Sequence, residues 1–217
     1  MHTSTAKTKI FDSIRQSLKA SEPFDVVHAE HQHETDYGLI EPYLAENLAE
    51  SFCQNLTAIG AKCQIVKDLL EAKGEIENLL ITKNVKTIAI SDSKLVVHLA
   101  ERINADFVQN ASAAELFDCE IGITSAQFGI SETGTLVIES DKEFNRLTSL
   151  VPPTHICVLE ASKLRNNLGD VLRELGKDLS KSITFITGQS RTSDIELTLA
   201  LGVHGPKELI VIIIENE

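Results

Sequence analysis

The sequence predicts an α/β domain, and three observations carry that prediction. Between residues 41 and 109, segments with helical periodicity alternate with short strand-like runs. Residues 209–214 are six consecutive Leu, Ile and Val residues, a strand-sized apolar run. Residues 183–214 read as strand, loop, short helix, loop and strand, a compact βαβ unit.

The elements follow in order. Residues 5–18 form an amphipathic helix with Ile10, Ile14 and Leu18 four apart on one face. Residues 20–41 hold Pro23, scattered acids and three histidines, His28, His31 and His33. That histidine spacing does not suit one helix face, and no Cys or second His pair follows, so a solvated loop is expected rather than a metal site. In 41–59, Leu44, Leu48, Phe52, Leu56 and Ile59 recur at helical spacing, with Pro42 at the start and Gly60 at the end. Strands at 62–66, 86–91 and 106–109 then alternate with helices at 69–80 and 94–102. Further on, 128–131 and 135–138 pair as a hairpin through Glu132-Thr-Gly134, where Gly supplies the backbone freedom of a tight turn. His155 opens, and caps, a strand at 156–159; a helix at 162–175 turns Leu164, Leu168, Val171, Leu172 and Leu175 inward. The expected organisation is a peripheral helix and loop over residues 1–40 and one α/β domain over 41–217.

Composition narrows the function classes. The 217 residues carry 32 acids against 20 Lys plus Arg, a formal net charge of −12. Phosphate neutralisation by basic side chains dominates nucleic-acid affinity, so no nucleic-acid partner is expected. Residues 1–9 have no apolar core, so they are not a secretory signal. No run approaches the roughly 18 apolar residues of a membrane span. Cys53, Cys63, Cys119 and Cys157 share no CxxC spacing and sit in apolar segments. They are read as reduced core residues, with no metal or cofactor bound by this chain, in a cytoplasmic protein.

The candidate site is organised around Gly188-Gln-Ser-Arg-Thr-Ser-Asp194. Ser193 stands three residues before Glu196, a capping-box spacing, so a helix is expected to start there, with Leu197, Leu199, Ala200 and Leu201 filling it and Gly202 stopping it. A helix N-terminus presents unpaired N–H groups to an anion. Gly188 admits the ligand, Ser190 and Thr192 add hydroxyls, Arg191 adds a two-pronged cation, and Asp194 closes the loop. The bland account is a well-capped helix whose Arg191 pairs with an acid. Glu132, at the hairpin tip beside Thr133 and Gly134, is either a base, a nucleophile, a partner for Arg191, or a solvated turn residue. Arg146 either binds an acidic ligand or makes a surface ion pair of little worth. The hairpin tip and the 188–194 loop are expected to face one cleft. His204 is a further candidate ligand residue; it and Gly205 lie either near that cleft or, as the βαβ geometry would put them, at the opposite end of the sheet.

Four segments come in sequence: Gly129-Ile-Ser-Glu-Thr-Gly-Thr-Leu-Val137, then Arg146 with Pro152-Pro-Thr-His-Ile156, then Gly188-Gln-Ser-Arg-Thr-Ser-Asp-Ile-Glu196, then Gly202-Val-His-Gly-Pro206. Together they resemble the lactate-utilisation protein C family and its LUD domain, densely from 122 to 206. Ser131 and Gln189 stand where that family more often has Ala and Pro, and neither change removes a donor or a charge. The resemblance implies a mixed sheet flanked by helices, similar to the ribose-5-phosphate isomerase and CoA transferase fold. It implies a bacterial system that oxidises L-lactate to pyruvate, in which partner proteins, not this component, carry the iron–sulfur clusters. Three functions follow as expectations: a component binding a small carboxylate, a phosphate-containing ligand or an electron carrier; a free-standing enzyme on a phosphorylated or CoA-linked substrate with Glu132 as catalytic carboxylate; or an assembly subunit without a site.

Overall fold

A computed structural model of the chain describes residues 3–20, 43–143, 146–175, 180–193, 199–202 and 204–216. The chain divides into two units, Met1–Pro42 and Tyr43–Glu217. The first contains the helix α1 (Thr3–Ala20), on which Ile10, Phe11 and Ile14 are exposed. His28, His31 and His33 lie outside the described residues.

The second unit begins with α2 (Leu48–Ala58), β1 (Lys62–Val66), α3 (Leu69–Lys83), β2 (Ile88–Ile90), α4 (Lys94–Ala100), β3 (Phe107–Gln109), α5 (Ala113–Asp118) and β4 (Ile121–Ser125). It continues with β5 (Phe128–Ile130), β6 (Thr135–Glu139), α6 (Ser140–Glu143), a 3-10 turn at Arg146–Ser149, β7 (Thr154–Glu160), a second at Ala161–Lys163, β8 (Leu164–Arg165) and α7 (Leu168–Leu175). The last strands are β9 (Ile183–Ile186), β10 (Arg191–Ser193), β11 (Leu199–Leu201) and β12 (Glu208–Ile214).

Six of these strands form a parallel sheet in the order β1-β12-β7-β4-β2-β3. A second, mixed sheet runs β8-β5-β6-β9, and β10 and β11 form an antiparallel pair. The α/β class with helices against a sheet therefore holds.

The apolar run at the end of the chain is explained by burial on both faces. Ile210, Ile212 and Ile214, with Ile156 and Val158, pack against Ile76 and Leu80 of α3 and Val96 and Leu99 of α4. Leu209, Val211 and Ile213, with Cys157 and Leu159, pack against Phe52 and Leu56 of α2 and Leu136 and Ile138 of β6. Full burial of side chains such as Phe52 and Leu56 contributes about 1.5–3 kcal/mol each.

Caps set the helix boundaries. Asp68 accepts from the Leu70 and Glu71 N–H groups at 2.9 Å and starts α3. Asn47 does the same for α2 through Ala49 and Glu50. That cap corrects the helix expected from residue 41: Leu44 precedes it and is 73% exposed. The helix expected over 162–175 shortens to α7, because 164–165 pairs with β5; Leu168 and Leu172 turn outward while Val171 and Leu175 are buried. A helix missed from sequence, α5, has a full capping box between Ser112 and Glu115.

Two corrections bear on the site. The expected helix after Ser193 is replaced by a hairpin: Arg191, Thr192 and Ser193 pair with Leu201, Ala200 and Leu199. Glu196 and Leu197 lie outside the described residues. The capping-box spacing is a local preference, and ladder pairing overrides it; Gly202, at φ +70°, returns its N–H to the Ser190 carbonyl at 2.9 Å instead of ending a helix. The cysteines are not all reduced. Cys53 of α2 and Cys63 of β1 form a disulfide across a Cα–Cα distance of 5.2 Å, while Cys119 and Cys157 are free and buried. The cytoplasmic expectation loses the support that it took from reduced thiols.

Candidate functional site

The loop after β9 sits against the C-terminal end of α2. Gly188, at φ +89°, makes that approach possible: a Cβ there would stand 3.0 Å from Ile59 Cδ1, in a conformation that side chains resist. Arg191 donates through Nη2 to the Ile59 carbonyl, and its side chain is otherwise exposed. Ser190 is held on both sides, donating its N–H to the Pro206 carbonyl at 2.9 Å and accepting from Gly202.

These bonds bring 188–190 and 204–206 together around one cavity of about 240 Å³. Its walls include Gly188, Ser190, His204, Gly205, Ser149, Thr187 and His155. The placement of His204 at the opposite end of the sheet is thereby corrected: with a hairpin rather than a helix between the two loops, both close the same space. His204 itself is exposed.

The hairpin tip reaches this loop through hydroxyl groups. Thr133 Oγ1 lies 2.6 Å from Thr135 Oγ1, which lies 2.7 Å from Thr187 Oγ1. Gly134, at φ +63°, lets the turn lie on the Leu56 backbone. Asn55 Nδ2 fixes the tip by donating to the Ser131 and Glu132 carbonyls at 2.7 and 3.2 Å, and the Glu132 N–H donates to the Asn166 carbonyl at 3.0 Å. The Glu132 side chain is exposed and is not among the cavity walls; neither are Arg146 and Arg191. Arg146 is exposed and donates to Ser182 Oγ at 3.4 Å. Asp194 and the side chain of Thr192 lie outside the described residues.

His155 is the wall that sequence reasoning undervalued. It is the second residue of β7 and is 1% exposed. Its Nε2 lies 2.8 Å from Thr124 Oγ1 on β4. Its Nδ1 is buried with no hydrogen-bond partner. Burial pushes its pKa down to about 3, so the ring is neutral at pH 7. Among the described residues, one other buried side-chain atom lacks a partner, Gln189 Oε1, in the loop that roofs the cavity. Buried polar groups are nearly always bonded, so His155 Nδ1 stands out; the Gln189 side chain lies against Gly60 and is not among the cavity walls. The sequence signal was present: a lone His within an otherwise apolar strand.

A second buried ionisable group lies nearby at the carboxyl end of β4. Glu143 of α6 is fully buried and accepts from the Ser125 N–H at 3.0 Å, from Gln127 Nε2 at 2.9 Å and from Ser125 Oγ. Burial raises its pKa, and hydrogen bonds from Ser125, Ser91 and Gln127 oppose that rise. Burial, with the Glu143 charge adding to it, raises the Cys157 thiol far above its usual range and keeps it protonated. A wider groove of about 530 Å³, at the carboxyl ends of β7 and β12, is walled by Leu69, Leu95 and Ile214 with Lys94, His98 and Glu160. It borders neither unpartnered atom. Among the described residues, no group of three or more His, Cys, Asp and Glu could hold a metal, and no helix is long and apolar enough to cross a membrane.

The chain is similar to known proteins. The chain is 34% identical over 157 residues to an uncharacterized protein of Neisseria meningitidis serogroup B, covering 70% of this chain and 66% of that one. It is 38% identical over 103 residues to Lactate utilization protein C of Halalkalibacterium halodurans, 45% of each chain. To the protein of that name from Bacillus subtilis it is 32% identical over 114 residues, 50% of this chain and 47% of that one. The match thus spans about half the length of those two relatives. A DUF162 family protein from Deinococcus radiodurans shares the fold, with a TM-score of 0.57 at 22% identity over 77% of this chain and 96% of that one. The LUD domain itself is matched over residues 49–214, and the chain belongs to that family.

Proposed function

We propose that this chain serves the utilization of lactate and holds a small carboxylate or phosphate-bearing ligand in the cavity between 188–190, 204–206 and β7. The convergence of Gly188, Ser190, His204 and Gly205 on one cavity that His155 walls carries the reading. The names of the relatives supply the metabolic context. Ser190, Thr187 and Ser149 offer hydroxyls, His204 stands at the rim, and Arg191 and Arg146 add positive charge on the flanking segments. Glu132, Thr133 and Gly134 act here as support, since the threonine hydroxyl row ties the tip to the loop. A cavity of about 240 Å³ is below the roughly 300–1,000 Å³ of pockets that enclose drug-sized ligands, which weighs against a CoA-linked substrate.

On this reading the chain binds no metal or cluster of its own, and iron–sulfur chemistry resides in partner proteins of the lactate system. Two of its four cysteines are joined to each other and the other two are buried. Elemental analysis of the purified chain checks this; stoichiometric iron or zinc would overturn it. The ligand reading is checked by thermal melting with L-lactate, pyruvate and inorganic phosphate. A ligand that binds the folded state alone stabilises it by about 2.7 kcal/mol at a hundred times its Kd. At least one of the three is expected to raise the melting temperature. No shift with any of them would sink the reading.

A further inference from the structure

We propose that the groove at the carboxyl ends of β7 and β12 is a second ligand site, and that it takes a nucleoside phosphate. It lies at the other end of those strands from the cavity at 188–190, which His155 and Leu209 wall near their amino ends. Glu160, the last residue of β7, is roughly 17 Å along the strand from His155. The two spaces share no wall residue, so neither site depends on the other. The topology opens a crevice at the carboxyl end. Beyond that end β1 and β2 lead into α3 and α4, which pack on one face of the sheet, whereas β7 leads into β8, whose Leu164 packs on the other. Connections that part to opposite faces leave the strand ends between them uncovered, the usual place for a ligand in a parallel sheet.

The walls specify the ligand. Leu69 of α3, Leu95 of α4 and Ile214 of β12 give an apolar slot. Lys94 and His98 lie one turn apart on α4, and both are exposed. Among the described residues Lys94 enters no ion pair, and His98 Nδ1 stands 3.9 Å from Glu101. Glu160 is half-buried, and an ionised carboxylate only accepts hydrogen bonds. The matching ligand has an apolar body, an anion for Lys94 and a donor for Glu160. An acyl chain ending in a carboxylate has the first two and offers Glu160 nothing. A nucleoside phosphate has all three: the base on the leucines, a ribose hydroxyl on Glu160 and the phosphate on Lys94. The volume, about 530 Å³, lies within the roughly 300–1,000 Å³ of pockets that enclose ligands of that size.

The test titrates the full chain with the 5′-monophosphates of adenosine, guanosine, cytidine and uridine, with the matching nucleosides and with decanoate, by calorimetry. At least one nucleotide is expected to bind wild type, about 10–100-fold more tightly than its nucleoside. Lys94 is exposed, so Lys94→Ala is expected to leave the melting temperature unchanged while bringing that nucleotide and nucleoside within about 3-fold of each other. Glu160→Ala is expected to weaken both by about 10-fold. If Glu160→Ala does not fold, the Lys94→Ala comparison decides. Binding of none of the four nucleotides overturns the inference. So does a nucleotide that either folded variant binds as well as wild type, since it then sits elsewhere on the chain. Decanoate bound as tightly as the nucleotide also overturns it and gives the groove to an acyl anion. The cavity at 188–190 is decided separately, by the melting series with L-lactate, pyruvate and inorganic phosphate.

Discussion

Glu143 and His155 are both withdrawn from solvent, yet the protein treats them in opposite ways. Each lies against β4: Glu143 bonds Ser125 at that strand's end, and His155 bonds Thr124 one residue earlier. Glu143 has both carboxylate oxygens engaged, by a backbone N–H, an amide and a hydroxyl. His155 has one nitrogen engaged and one not, and it walls a cavity. A saturated buried acid fixes α6 against the sheet and has nothing left for a ligand. A half-saturated base beside an opening has an unused valence. Burial alone does not separate structure from function in this molecule; hydrogen-bond accounting does.

Removing each group should expose that difference. Glu143→Ala strands the Ser125 N–H and hydroxyl and is expected to destabilise the fold by about 3 kcal/mol in urea unfolding. His155→Phe removes one atom that is already unsatisfied and one bond, to Thr124 Oγ1, and is expected to cost less, about 1–2 kcal/mol. Equal losses would erase the distinction.

The disulfide touches the His155 side of the comparison. It joins α2 to β1 around the turn carrying Ile59 and Gly60, on which Gly188 and Arg191 rest. Closing so short a loop stabilises by roughly 2–3 kcal/mol in the chain-entropy account. Reduction with dithiothreitol is expected to lower stability by about that amount and to weaken ligand binding. Free thiols counted in the native oxidised protein would remove the premise.

Acid separates the two groups by sign. The folded value of His155, about 3, lies below the ordinary imidazole value of 6.5, so the unfolded chain takes up a proton that the fold refuses. Its contribution is present above pH 6.5 and is lost as pH falls from there toward 3, by about 1.4 kcal/mol per unit. Glu143 is raised above 4.5, so its contribution is present below that value and is lost as pH rises through the raised one. Urea melts from pH 7.5 down to about 5 are expected to show falling stability in wild type and a shallower fall in His155→Phe. An unchanged slope would mean that His155 is not held neutral.

The smallest effect concerns Arg191. Its guanidinium donates to the Ile59 carbonyl, so Arg191→Ala is expected to destabilise by about 1 kcal/mol and to loosen the roof of the cavity. Wild-type stability and ligand affinity in that variant would show the contact to be idle.

The candidate site was partly legible. The glycine loop at 188, Ser190 and His204 were all singled out from sequence, and all three border the cavity. Their mutual placement was not legible, because Ser193-x-x-Glu196 is a capping box by spacing and only the pairing of Arg191–Ser193 with Leu199–Leu201 decides between helix and hairpin. His155 was visible as a polar residue in an apolar strand, but its importance lies in an unmet nitrogen, which no spacing encodes. Glu143 was passed over because a lone acid in a charged stretch looks solvated until the fold buries it.

By itself the sequence determined the class of fold and most of its elements. Periodicity at 69–80 and the apolar run at 209–214 reflect faces that must be buried, and burial leaves a local imprint. Its order of motifs also carried the family resemblance. The tertiary structure alone decided which cysteines meet, that 188–190 and 204–206 share a cavity, and that His155 is left with a free nitrogen. Those are relations between residues distant in the chain. They depend on strand order and register, where pairing energy outweighs the local preferences that a sequence displays.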